Sequence, residues 1–98
     1  MRARIAQHDI GGRFGKRVVR VDLHGVSLAG WVGRRVVRWE WIERIEQTSS
    51  GVVISAPGTR LELPTGVFRK TPCELARLLE QARSIERRAE VIATLAKA

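Results

Sequence analysis

The chain has no tyrosine, one cysteine and two histidines. It also has no apolar run near the ~18 residues of a membrane-spanning helix. Each scarcity excludes something. A lone Cys73 cannot form an intramolecular disulfide; in the first turn of a helix it reads as a buried or half-buried structural thiol. His8 and His24 have no cysteine or carboxylate cluster at zinc-ligand spacing. Each reads as a satisfied surface imidazole, and no metal or cofactor is expected. Asp9 follows His8, but neighbours on a strand point to opposite faces, so they make no catalytic dyad. Neither Gly-x-x-x-x-Gly-Lys-Ser/Thr nor Gly-x-Ser-x-Gly occurs. The chain therefore reads as no enzyme, with no small-molecule substrate. No apolar leader follows Met1-Arg2-Ala3-Arg4, so the expected compartment is the cytoplasm.

What is present suits one domain: 98 residues, 44% of them hydrophobic. The net charge is +8, and it is unevenly spread. Residues 1–39 carry Arg2, Arg4, Arg13, Lys16, Arg17, Arg20, Arg34, Arg35 and Arg38 against only Asp9 and Asp22. Beyond Trp39 the charges nearly balance. A basic N-terminal half suggests an anionic partner: nucleic acid, an acidic protein or a membrane surface. Because 15 of the 18 cations are arginine, a plain solvated surface from an arginine-rich proteome is the alternative.

Residues 1–10 read as a first strand or a loose arm, residues 1–14 together as a flexible basic arm and loop, and Gly11-Gly12-Arg13-Phe14-Gly15-Lys16-Arg17 as a flexible glycine-rich loop. Backbone N–H groups in such a loop can approach an anion closely. Alternation over residues 17–24 then predicts a half-buried strand with Val19, Val21 and Leu23 inward. His24-Gly25 is a turn, Val26 and Leu28 continue inward, and residues 34–38 return. Residues 39–42 read as a short turn and 43–48 as a strand. Ser49-Ser50-Gly51 and Pro57-Gly58 separate two more strands. Six or seven short antiparallel strands at this spacing indicate an α+β, mainly β architecture: a bent sheet or partly open barrel. Trp39 reads as core. Trp31, between glycines and beside Arg34 and Arg35, reads either as ordinary sheet packing or as an exposed aromatic suited to base stacking or a membrane interface.

One long C-terminal helix is expected from Pro72. Thr71 is a good N-cap, Pro72 sits at the first helical position, and Glu74 can reach back to the cap. Leu75, Leu78, Ala82, Ile85, Ala89, Ile92 and Ala96 are spaced three and four apart, flanked by Leu79 and Leu95. Over residues 72–97 such a helix spans about 39 Å, against about 17–20 Å for strands of this length. The extension over residues 85–98 therefore overshoots the sheet. Its apolar residues Ile85, Ala89, Ile92, Leu95 and Ala96 need a partner. Either the helix bends back after Ser84, or it pairs with another chain; self-association into a homo-oligomer is the expectation.

The succession Val21-Asp22-Leu23-His24-Gly25-Val26-Ser27-Leu28, Val37 to Ile45, Gly51 to Ile54, Leu61-Glu62-Leu63-Pro64 and Thr71 to Leu79 resembles the bacterial pleckstrin-homology-like domains. The resemblance covers residues 15–85. It implies a strongly bent antiparallel sheet with a helix across one end. Trp39, Ile42 and Ile45 would be core, and Leu75, Leu78, Leu79 and Ala82 the plug. It also implies a noncatalytic binding or adaptor module. Eukaryotic relatives hold phosphoinositides with basic residues of the first strand–loop–strand, and Arg13, Lys16 and Arg17 would match, with Arg34 and Arg35 nearby. The expected partner site is therefore Arg13, Lys16, Arg17, Arg34, Arg35 and Trp31. An anionic or acidic partner, met by a self-associating adaptor, is the first expectation for what it binds. Nucleic acid is the alternative, and peripheral contact with acidic lipid the second alternative.

Overall fold

A computed structural model describes residues 4–11, 16–30 and 33–97. Seven antiparallel strands form two sheets. The first contains β1 (Ile5–Ile10), β2 (Arg17–Asp22), β3 (Gly25–Gly30) and β4 (Gly33–Arg38) in sequence order. The second contains β5 (Arg44–Thr48), β6 (Gly51–Ala56) and β7 (Thr59–Pro64), also in order. Two helices follow, α1 (Pro72–Ala82) and α2 (Ile85–Ala96). This is the expected α+β, mainly β class with a helical cap. The sheets do not close into a barrel.

Alternation decides the inner faces. Val19 and Val21 on β2, Val26 on β3 and Val37 on β4 are fully buried, as are Ile54, Leu61 and Leu63 on β6 and β7. Trp39, in a short helical turn at Trp39–Trp41, joins them at 2% exposure. The turn between β2 and β3 is held by the Asp22 carboxylate, which accepts from the N–H of His24 at 2.9 Å and of Gly25 at 3.0 Å. Asp22 also offers its carbonyl to Trp39 Nε1 at 2.8 Å, satisfying the indole. Leu23, expected inward, lies in this turn and is 42% exposed. Gly51 begins β6 at φ 145°, where an added Cβ would meet the Leu63 carbonyl oxygen, so only glycine fits.

Before α1, Phe68 stands in the left-handed region at φ 56°. Its buried ring and its N–H, which donates to His8 Nδ1 at 3.2 Å, hold it there. His8 is thus satisfied as expected, but half-buried against Phe68 rather than at the surface. The start of α1 follows the sequence. Thr71 Oγ1 accepts from the Glu74 N–H at 3.2 Å. The Glu74 carboxylate accepts from the Thr71 hydroxyl at 3.1 Å, instead of from the cap N–H. Cys73, expected to be covered, is exposed.

The single long helix is corrected. It breaks at Arg83-Ser84, with Ser84 extended at ψ 124°. The phase of the apolar residues explains the break. Leu75, Leu79 and Ala82 are the buried face of α1; Val91, Ile92 and Leu95 are the buried face of α2. At 3.6 residues per turn Leu95 would stand roughly 200° around a continuous helix from Leu75. One straight helix cannot bury both groups, and two helices meeting at a corner can. Helix α1 lies over β5 and β6, and α2 packs on α1 and β1.

Arg88 stitches that corner. Its Nε donates to the Ala82 carbonyl at 2.9 Å and its Nη2 to the Arg83 carbonyl at 3.2 Å, covering orphan acceptors at the end of α1. Its guanidinium lies 5.2 Å from the Trp39 ring. Burial pushes its pKa below the usual arginine value, and the nearby charge of Glu40 partly offsets this. Arg83 Nη2 adds a bond to the Ile42 carbonyl at 3.0 Å.

Two outcomes follow for urea unfolding. Ile92→Ala should cost about 2–5 kcal/mol, whereas Ile85→Ala should change stability by less than about 0.5 kcal/mol. The contrast arises because Ile92 is 0% and Ile85 78% exposed. Equal effects would restore the continuous stripe. Arg88→Met keeps the stem but leaves the Ala82 and Arg83 carbonyls unanswered, and should cost about 1–3 kcal/mol.

Candidate functional site

A meander of antiparallel strands brings alternate connections to one end of a sheet. Here the end of β1 and the start of β2 lie at the same end of the sheet as the end of β3 and the start of β4. The register places the basic residues there. Arg17 pairs with Ile10, Arg34 with Ala29 and Arg35 with Leu28, while Val18 is paired with Ala29 from the other side. Lys16 and Arg17 therefore open β2 where Arg34 and Arg35 open β4. Only β3 intervenes, a separation of roughly 10 Å. All four residues are exposed. Arg13 and Trp31 fall in residues 12–15 and 31–32, outside the described residues.

The strand phase divides the four. Arg17 follows the phase of Val19 and Val21, and Arg35 that of Val37, so both sit in the inward-facing rows beyond the end of the apolar core. Arg34 belongs to the outer face. The Arg17 stem lies across Gly30, where an added Cβ would come within 3.3 Å of its Cγ. Arg35 Nη1 donates to the Arg60 carbonyl at 3.5 Å, linking the two sheets.

Pairing separates these cations from the other arginines on the strands. Arg20 meets Asp22 at 3.8 Å, Arg38 meets Glu40 at 3.5 Å, Arg44 meets Glu46 at 2.9 Å and Arg60 meets Glu62 at 3.6 Å. Each pair is two residues apart along the chain and exposed, apart from the half-buried Arg20 and Asp22; the exposed pairs add little stability, but every pair cancels charge locally. Among the described residues Lys16, Arg17, Arg34 and Arg35 form no such pair. Unpaired like charges at one end of a sheet raise the local potential and attract anions.

An open cleft of about 330 Å³ adjoins this end, lined by Arg17 together with Thr48, Ser50, Arg60, Glu62 and Pro64. Thr48 and Ser50 hydroxyls lie 3.3 Å apart in it. Sequence reasoning missed Arg60, Thr48 and Ser50. Nothing in a linear pattern says that the turn between β5 and β6 rises beside the start of β2, because that proximity comes from how the two sheets pack.

The apolar set on the last helix is divided differently from expectation. Ile92 and Leu95 are 0% and 1% exposed in the chain's own core, Ala89 is half-buried, and Ile85 and Ala96 are exposed. Self-association through residues 85–97 loses its two largest buried side chains to the monomer, because the fold-back after Ser84 supplies their partner. Among the described residues no group of three or more His, Cys, Asp or Glu is placed to hold a metal ion. No helix there is long and apolar enough to cross a membrane. No family model matches the chain, nor does any curated protein or solved structure.

Proposed function

We propose that this chain is a noncatalytic binding domain of pleckstrin-homology-like architecture that meets an anionic or acidic partner through the basic end of its first sheet. One observation carries the reading: Lys16, Arg17, Arg34 and Arg35 lie at the starts of β2 and β4, are exposed and, among the described residues, form no ion pair, while the other arginines on the strands are paired. Four strands, then three, then a helical cap supports the architectural part. The resemblance in strand order to the bacterial pleckstrin-homology-like domains points the same way. The cleft beside Arg17 adds two hydroxyl groups to the recognition surface, with Arg60 there paired to Glu62.

The test is a salt titration of the intact protein with three probes: duplex DNA, single-stranded DNA, and vesicles of phosphatidylserine in phosphatidylcholine. The expected result is binding to at least one probe at low salt. Neutralising Lys16, Arg17, Arg34 and Arg35 together should weaken that binding, and for duplex DNA should flatten the log–log salt slope by up to about 3.6. Selective loss on DNA identifies nucleic acid as the partner class, and selective loss on vesicles identifies a lipid headgroup. Unchanged binding by the neutralised variant, or no binding to any probe at low salt, contradicts the proposal.

A further inference from the structure

The two sheets have four edge strands, and helices contact two of them. Helix α2 lies against β1 and α1 against β5. Along β7 the two-residue turn closed by Ala56 and Thr59 makes Arg60, Glu62 and Pro64 the outward positions. Proline offers no N–H, and the Arg60 carbonyl already accepts from Arg35. That leaves β4.

The edge of β4 is open over most of its length. Gly33, Arg34, Arg35, Val36 and Arg38 are exposed, and only Val37 is buried. The bond from the Trp39 N–H to the His24 carbonyl fixes the alternation. Val37, Arg35 and Gly33 exchange hydrogen bonds with β3, while Arg34, Val36 and Arg38 turn their N–H and C=O groups away from the sheet. Strand β7 also comes near β4, with the Arg35 side chain joined to its Arg60 carbonyl.

We infer that the β4 edge receives an extended acidic segment of another protein as an added strand, with acidic side chains opposite Arg34 and Arg38 and an apolar one opposite Val36. The side chains select that occupant. On the outer face the edge presents cation, apolar, cation in alternation, with Val36 41% exposed. A strand reading acidic, any, apolar, any, acidic complements it residue by residue. Arg38 has an exposed contact with Glu40 at 3.5 Å and a guanidinium 5.6 Å from the Trp41 ring to exchange. A second copy of this chain does not fit, because pairing β4 with β4 sets arginine against arginine. The inference rests on the reading of the chain as a noncatalytic binding domain, but uses Arg34, Val36 and Arg38 rather than the cleft.

The test is fluorescence polarisation on the intact protein with a labelled, end-capped peptide Ser-Thr-Glu-Thr-Val-Thr-Glu-Thr-Ser. Two derivatives carry N-methyl groups on one or the other alternate set of amides. Strand addition predicts that methylating one set weakens binding about tenfold or more, while methylating the other leaves it within about threefold. Val36→Pro removes an outward N–H that no intramolecular bond uses. It should keep the parent's cooperative unfolding and lose the peptide. Arg34→Glu with Arg38→Glu should lose it too, and Arg44→Glu on β5 should not. Neutralising Lys16 and Arg17 separates the two ideas: DNA or vesicle binding falls and peptide binding persists. Equal affinity for both methylated peptides reduces the contact to nonspecific charge attraction and overturns the inference. So does the absence of binding up to roughly 1 mM peptide.

Discussion

The corner between α1 and α2 is the constraint on which the rest of the structure depends. Without it, Val91, Ile92 and Leu95 would be stranded in water beyond the end of the sheets. With it, all three are buried beside Leu75, Leu79 and Ala82 in one continuous core. Arg88 holds the corner because its planar fork answers two carbonyls at once while its face covers Trp39. Trp39 is fixed in turn by Asp22, the residue that closes the β2–β3 turn. One chain of contacts thus runs from the helical cap into the first sheet.

The corner also decides what surface is left for binding. A straight helix could lie along one edge only. Two helices at an angle reach β5 and β1, Pro64 and the Arg35 contact blunt β7, and the side chains of β4 stay largely exposed. The same strand supplies Arg34 and Arg35 to the basic end. Strand β4 thus contributes to both the basic end and the edge, with unpaired cations grouped at its start and outward backbone groups further along. Exposed cations on an edge discourage self-pairing and at the same time favour an anionic partner. A single set of arginines can thus provide both solubility and selectivity.

Much of this was legible in the sequence. The Thr71-Pro72-Glu74 signal placed the start of α1, because capping chemistry is local. The alternation of Val19 and Val21, and of Leu61 and Leu63, fixed inward faces for the same reason. The break at Ser84 was not marked by glycine or proline. It is written in phase: Val91 falls outside the stripe through Ile85, Ala89 and Ile92, and the stripe fails where Val91 becomes a core residue. The grouping of Lys16 and Arg17 with Arg34 and Arg35 follows from a meander and could be anticipated. The approach of Thr48, Ser50 and Arg60 to Arg17 could not, since it depends on the angle between sheets. Cys73 escaped because a helix start says nothing about which side faces the solvent.

Amide hydrogen exchange of the intact chain, measured at two protein concentrations a hundredfold apart, tests the fold-back most directly. The account predicts that the amides of Val91, Ile92 and Leu95 exchange as slowly as those of Val19 and Val21, at the rate of global unfolding and equally at both concentrations. Fast exchange beyond Ser84, or protection that appears only at the higher concentration, would contradict it.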